Sequence, residues 1–345
     1  MIEGILVDGL IFAVMAMGVF ITFRVLNFPD LTVDGSFATG AAVATMCITN
    51  GLGIFPGLLL AFASGAAAGA VTAIIHNRLK VPNLLAGILT MTMLYSINIR
   101  ILGGRANVAL LRVDTIISNV IKLGGSIPRE WTLLIFMILF TGTIKVLLDV
   151  FFHTDLGVTL GAMGDNEQMV ISQGVNPKTM KVLGVGLSNG LVALSGAMLA
   201  QYQGFADANL GIGMVVQGLA AVMLGEFLFR SNKIGMLTVQ VILGAILYKA
   251  LMFLGRYYGY YINLTPSDLK LLTGILVIIS LALGFDELCT LEYLNIASPA
   301  RYFTDLEYKH SQNILFSSLL EKELGMTRGS EKTVSFEKYH LESIL

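Results

Sequence analysis

Charge is scarce in this sequence, as are cysteine and histidine. Only 13% of its 345 residues are charged and the formal net charge is −1, so no basic surface for nucleic acid is expected. Four scattered histidines and two cysteines give no metal-ligand spacing, and Cys47 and Cys289 are interpreted as ordinary thiols. No G-x-x-x-x-G-K-[ST] motif is present, so the chain itself is not expected to hydrolyse a nucleotide or to be an enzyme.

Apolar residues dominate instead. They make up 55% of the sequence, and the mean hydropathy is +0.77. About 20 apolar residues in a helix cross the hydrocarbon core of a bilayer. The sequence therefore predicts an all-α, polytopic helical membrane protein with about 8–10 transmembrane segments. We count nine apolar segments, at residues 4–23, 35–49, 54–75, 84–102, 131–150, 182–203, 212–224, 234–254 and 269–284.

Basic residues in short loops suggest an orientation. The loop HNRLK at 76–80 is short and basic, and cytoplasmic loops carry an excess of Lys and Arg. No Lys or Arg precedes the first span, which argues against a signal peptide, and Arg24 follows it. We expect the N-terminus outside and the C-terminal tail in the cytoplasm. Within the span at 54–75, Gly65 and Gly69 have the spacing that allows close helix packing.

The central stretch at 153–181 is too polar to lie in lipid. Gly164 and Asp165 are expected to open a short helix after a turn, and Asp165 or Asn166 to cap its N-terminus. Gly174 is expected to end it, and Asn176-Pro177 to start the next helix. The predicted organisation is a transmembrane domain at 1–285. Its halves at 1–152 and 182–285 are joined by this segment, and a polar tail follows at 286–345.

The two halves share a plan. In each, a full span is followed by a polar segment and a short apolar helix, LNFPDLTVDGS before 35–49 and GFADANLGIG before 212–224. The first spans of the halves run in opposite directions in this topology. Inverted repeats with interrupted helices are typical of transporters and place the solute path at the repeat interface.

The polar segments predict the lining of that path. The expected residues are Asn27, Asp30, Thr32, Asp34 and Ser36 from the first segment, with Gln201, Gln203 and Asn209 from the second. Asp30 and Asp34 have a compatible second interpretation as helix caps. Lys145 and Asp149 are four residues apart on one helix face and are expected to pair. Other charged residues near span ends are interpreted as snorkelling side chains.

Three motifs carry a resemblance to a known family. They are NFPDLTVDGSFATGAAV (27–43), GDNEQMVISQGVNPKTMK (164–181), and SNGLVALSGAMLAQYQGFADANLGIG followed by GLAAVMLGE (188–226). The chain resembles the permease subunits of bacterial ABC importers of the branched-chain amino acid and ribose type. Within them it is similar to the branch whose binding lipoproteins take aromatic or other amino acids.

The resemblance implies partners and a location. These are a separate ABC ATPase that carries ATP and Mg²⁺, an extracytoplasmic substrate-binding lipoprotein, a second permease copy in a homodimer, and the bacterial cytoplasmic (inner) membrane. No cofactor is expected on this chain. The coupling segment for the ATPase would comprise Gly164, Asp165, Asn166, Glu167, Met169, Val170, Ile171 and Gly174. Met163, Met169, Val170 and Ile171 are expected to supply an apolar surface that fits a groove on the partner.

Two other functions compete with this interpretation. An ion-driven secondary transporter is the main alternative, but such carriers usually hold charged residues deep in their spans, and the spans at 54–75 and 182–203 have none. A membrane-embedded enzyme is a less favoured alternative. The tail at 286–345 is an extension beyond the resemblance, and SQNILFSSLLEKELG at 311–325 has the pattern of a short amphipathic helix.

Overall fold

The computed structural model describes residues 2–110, 113–123, 125, 128–228 and 234–259, with 271, 274, 275 and 278. The predicted tail at 286–345 and most of the ninth apolar segment lie outside the described residues. The elements in chain order are α1 (Ile2–Phe20), a π-helical turn (Ile21–Val25), α2 (Thr32–Thr49), α3 (Ile54–Leu79), α4 (Asn83–Ile101), β1 (Asn107–Ala109), α5 (Ile116–Leu123), α6 (Arg129–Phe152), α7 (Asp155–Asp165), α8 (Glu167–Ser172), α9 (Pro177–Gln203), β2 (Phe205–Asp207), α10 (Met214–Leu228) and α11 (Ile234–Gly259).

This part of the chain is an all-α polytopic membrane protein. Six of its helices are long and apolar enough to cross a bilayer: α1 with the π-helical turn, α3, α4, α6, α9 and α11. Eight of the nine predicted apolar segments coincide with helices, the two shorter ones being α2 and α10. The segment at 103–130, between the fourth and fifth apolar segments, contains β1 and α5. The stretch at 153–181 contains two helices, α7 and α8, before α9 begins, rather than the one predicted.

The helices α1 and α9 form the centre of the molecule. In each of them 78% of the most apolar stretch is buried, against 28–39% for the other four long helices, whose outer faces are left for lipid or a partner. Two serine hydroxyls of α9 donate to α1 carbonyls, Ser195 to Ile11 at 2.7 Å and Ser188 to Gly18 at 2.6 Å. Because the residue order is reversed between these contacts, α1 and α9 run antiparallel.

Close packing on α9 depends on glycine at predicted positions. A methyl group on Gly65 would lie 2.3 Å from Ala193 Cβ, and one on Gly69 would lie 2.3 Å from the Val185 carbonyl oxygen. Both distances are far below van der Waals contact, so α3 can approach α9 this closely only without side chains at these positions. The predicted role of the two glycines is confirmed.

The short helices α2 and α10 both begin part-way through the membrane. At the start of α2, Ser36 donates to Asn189 at 2.7 Å, and Asn189 lies about 18 Å along α9 from Pro177 at 1.5 Å per residue. The first turn of α10 lies against Asp34, and Glu226 near its other end pairs with Arg24 after α1. The two helices therefore start at the same depth and run to opposite sides, as the interrupted inverted repeat predicts.

Two names distinguish the ends of this bundle. The α8 side contains the end of α1, the end of α3, α7, α8 and the start of α9, where Asn77 Nδ2 donates to the Lys178 carbonyl at 2.9 Å. The β side contains the end of α9 and the antiparallel pair β1–β2, in which Asn107 lies opposite Asp207 and Ala109 opposite Phe205.

Candidate functional site

The segment between the halves is built from two capped helices. Thr154 accepts the Gly157 amide at 3.3 Å and starts α7. Asn166 follows the last residue of α7, and its side-chain oxygen accepts the amides of Gln168 and Met169 at 3.1 and 3.2 Å to start α8. The predicted cap is therefore Asn166, and Asp165 is the end of the preceding helix.

The end of α8 also follows its local sequence. Gly174 has φ +84°, a left-handed conformation that favours glycine, so the turn predicted there is confirmed. Asn176 then accepts the Lys178 amide at 3.0 Å, and Pro177 occupies the first turn of α9. Glu167 at the start of α8 binds Lys181 of α9 through both carboxylate oxygens, at 3.0 and 2.9 Å.

Two expectations about this segment are wrong. Val170 is fully buried and Met163 is 5% exposed, so both side chains pack inside the chain and are not offered to a partner. Ile171 is 44% exposed, and Asp165, Asn166, Glu167, Gln168, Ser172, Gln173 and Gly174 are exposed beside it. The free surface of α8 is therefore polar apart from Ile171 and the partly exposed Met169, while Val170 anchors the buried side of the helix.

Gly164 does not open the helix as predicted but lies in α7, against the π-helical turn. A methyl group there would lie 1.9 Å from the Val25 carbonyl oxygen and 3.1 Å from the Leu26 carbonyl carbon. Because both neighbours are main-chain atoms, no side-chain rearrangement can make room. The residue holds α7 in direct contact with the end of the first span.

A buried polar cluster lies where α2 begins. The Asp30 carboxylate is fully buried and accepts the Thr32 amide at 2.8 Å and Asn189 Nδ2 at 2.6 Å. Asn189 in turn accepts the Ser36 hydroxyl, and the Thr32 hydroxyl lies 2.7 Å from that of Thr72 in α3. This cluster joins α2, α3, α9 and the connection before α2, and Asp30 caps α2 as the second interpretation expected.

Asp34 binds the other half of the molecule. It lies in the first turn of α2, and its two carboxylate oxygens accept the Gly213 and Val215 amides at 2.8 Å each. These are free amides at the start of α10, so one carboxylate lies between the N-termini of two helices and is favoured by both dipoles. Asp34 is therefore a cap, but for the helix of the opposite half.

The remaining predicted path residues do not join this cluster. Gln201 is buried near the β side, where its side-chain oxygen accepts the Ile116 amide at 3.0 Å and caps α5. Gln203 and Asn209 are exposed on the same side. Asn27 is exposed near the α8 side and has φ +50°, which is uncommon for a residue other than glycine. The structure thus brings together Asp30, Thr32, Asp34 and Ser36 only.

Sequence reasoning missed Asn189, which connects the two halves. It is fully buried in a membrane span and uses both its amide nitrogen and its oxygen. The signal was present in the sequence, because a polar amide in an apolar run needs a buried partner. Ser188 and Ser195 of the same span carried the same signal.

Two pairs of oppositely charged side chains lie on the long helices α1, α6 and α11. Lys145 pairs with Asp149 as predicted, and Asp149 also accepts the Thr238 hydroxyl of α11 at 2.7 Å. Lys249 lies 3.3 Å from Asp8. On the β side the Lys122 ammonium group, 2.6 Å from Asp114, lowers the pKa of that carboxyl.

Fold and site together define a class. Central antiparallel spans, two half-length helices that meet at mid-depth, and a polar helical element between the halves are the features of a membrane transporter. The family model for the branched-chain amino acid transport system permease component matches residues 1–281. The chain belongs to this permease family.

Individual relatives agree with that assignment. The chain is 39% identical to the tyrosine transport system permease protein of Clostridioides difficile, over 82% of this chain and 91% of the relative. It is 32% identical to an uncharacterised protein of Rickettsia prowazekii, over 80% of this chain and 94% of that protein. The ribose import permease protein of Escherichia coli K12 is 26% identical, over 67% of this chain and 72% of that protein. No solved structure matches the chain.

Proposed function

We propose that this chain is the membrane permease of an ATP-driven importer for an amino acid, with tyrosine or a related aromatic amino acid as its solute. The observation that carries the coupling part is α8, a short helix with an exposed polar surface that is fastened from behind by Val170 and laterally by the Glu167–Lys181 pair. A rigid exposed element between two membrane halves is suited to receive movement from a separate ATPase. The family membership and the tyrosine permease relative support the solute class.

The proposal includes an orientation. Arg78, Lys80, Lys178 and Lys181 all belong to the α8 side, and cytoplasmic loops are enriched in such residues. With the α8 side in the cytoplasm, the N-terminus lies outside, the β side faces an extracytoplasmic binding lipoprotein, and the tail is cytoplasmic. We further propose that two identical copies work together in the bacterial inner membrane, each with its own ATPase.

The solute path is proposed to follow the junction of α2 and α10. Exposed polar residues lie towards the two ends of this path. Asn27 lies towards the α8 side, and Gln203 and Asn209 lie towards the β side. Asp30, Thr32, Asp34, Ser36 and Gln201 are already engaged by the chain itself, so their proposed role is to hold the walls in position. An ion-driven carrier is not favoured. The span carboxylates Asp8 and Asp149 are paired with lysines, and the two carboxylates at the start of α2 are already held by hydrogen bonds within the chain.

The test is reconstitution with the ATPase and the binding protein encoded beside the gene. We expect the ATPase to copurify with the permease, and proteoliposomes to accumulate labelled tyrosine only when ATP and binding protein are supplied. Uptake that follows an ion gradient without ATP would contradict the proposal.

A matched pair of variants tests α8 itself. Ile171→Glu places a charge on the exposed apolar side chain of α8 and is expected to abolish ATPase copurification, since an unpaired charge is costly to bury in an interface. Leu79→Glu adds the same charge to an exposed leucine at the end of α3, also on the α8 side, and is the control. Normal ATPase binding by Ile171→Glu would remove α8 from the coupling role.

A further inference from the structure

The connection between α1 and α2 contacts α7, α9 and α10. Its start, the π-helical turn, touches α7 through Gly164, and its end holds Asp30 in the buried cluster. We infer that residues 21–30 are the mechanical link through which movement of α7 and α8 reaches the half-helices α2 and α10. This inference rests on the proposed coupling role of α8.

The link begins at a break in an otherwise rigid helix. Up to Gly18, α1 is fastened to α9 by the serine hydrogen bonds described above. After Gly18 the helical turns become wider. The Leu26 amide donates to the Ile21 carbonyl at 2.9 Å, and the Phe28 amide donates to the Thr22 carbonyl at 2.8 Å. Such π-helical turns interrupt the regular ladder and are frequent at functional sites. The turn lets residues 21–30 move relative to the fixed part of α1.

The link is also in close contact with α7. At Gly164 there is no space for even a methyl group between α7 and the Val25 carbonyl, so α7 cannot move towards the turn without displacing it. The helix α8 follows directly through Asn166, whose amide bonds the Ala162 carbonyl of α7 at 2.9 Å. A push on α8 is therefore transmitted to Val25 through packed backbone.

The link and the first turn of α2 that follows it together engage α10 at both of its ends. Arg24 at the start of the link lies 2.8 Å from Glu226 in the last turns of α10. Asp34, just after the link, binds the amides at the start of α10. A displacement of residues 21–30 thus acts on both ends of α10 as well as on α2, and these are the two helices whose N-termini meet at the proposed path.

The experiment uses the permease with its ATPase and binding protein in proteoliposomes. Arg24→Glu and Glu226→Arg are each expected to lower ATP-dependent uptake about five-fold or more, the lower end of typical coupling between distant sites. The charge-swapped double variant is expected to restore most of the uptake. ATPase copurification should stay unchanged in all three, because neither residue lies on α8.

Gly164→Ala provides an independent arm, with Gly142→Ala as its control because a methyl group on Gly142 meets no atom within 4 Å. We expect Gly164→Ala to retain the ATPase and its ATP hydrolysis but to lose uptake. Normal uptake in the single charge variants, no rescue in the double variant, or loss of ATPase binding together with uptake would each overturn the link. A wild-type permease that neither binds an ATPase nor uses ATP would instead refute the proposed function.

Discussion

Asp34 joins two helices that belong to different halves, and its removal has a local effect that can be worked out. Asp34→Ala would leave the Gly213 and Val215 amides, at the start of α10, without their carboxylate acceptor. A buried donor stripped of its partner costs about 1–3 kcal/mol, so two of them cost about 2–6 kcal/mol. Asp34→Asn keeps one oxygen acceptor and should cost about half as much.

Hydrogen exchange measured by mass spectrometry on the purified permease is the direct assay. A loss of 2 kcal/mol or more corresponds to about 30-fold or faster exchange in a peptide covering 208–218, since about 1.4 kcal/mol is tenfold. Exchange in α9 should stay unchanged. Uptake should fall while ATPase copurification persists, because α8 lies far from the start of α10 along the bundle.

The control is Asp155→Asn, which removes an exposed carboxylate from the first turn of α7. It should leave exchange at 208–218 as in the wild type. If Asp34→Ala also leaves this peptide unchanged, the carboxylate does not hold the start of α10 and the account of the junction is refuted.

Three further substitutions test the packing described above. Asn189→Leu should lower stability to thermal unfolding by about 3 kcal/mol or more, because it strands buried partners on two sides; a wild-type melting temperature would contradict the cluster. Gly40→Ala would place a methyl group 1.8 Å from a backbone oxygen of α9 and should reduce the yield of folded protein, whereas Gly142→Ala should not; equal yields would show that α2 has room to shift. Lys145→Met and Asp149→Leu should each destabilise, and the double variant should recover about 1–3 kcal/mol; strict additivity would mean that the pair contributes nothing.

Local signals carried much of the fold. The lengths of the apolar runs predicted the spans, since about 20 residues are needed to cross the hydrocarbon core. Asn166, Gly174 and Asn176-Pro177 predicted the ends of the helices around them, because capping and positive φ depend on a few neighbouring residues. The pair Lys145–Asp149 could also be predicted locally, because residues four apart lie on the same face of a helix.

What escaped prediction depended on contacts distant in sequence. The helix α7 was missed because Gly164 suggested a turn, whereas this residue serves close packing against the Val25 backbone carbonyl. The burial of Val170 could not be inferred, because a helix of six residues is too short to show which of its faces is apolar. In both cases the deciding neighbour lies in an element whose position the sequence does not reveal.

The two carboxylates of the first polar segment show how this limit bears on function. Caps and path residues are the same residue types, so the sequence left both roles open for Asp30 and Asp34. In the structure each carboxylate occupies a helix N-terminus, one at α2 and one at α10. In transporters with interrupted helices such N-termini can bind the anionic group of the solute. Here the protein's own carboxylates fill these two N-termini, so neither offers a free helix dipole to the carboxylate of an amino acid. This arrangement agrees with the proposal that a separate binding protein selects the solute.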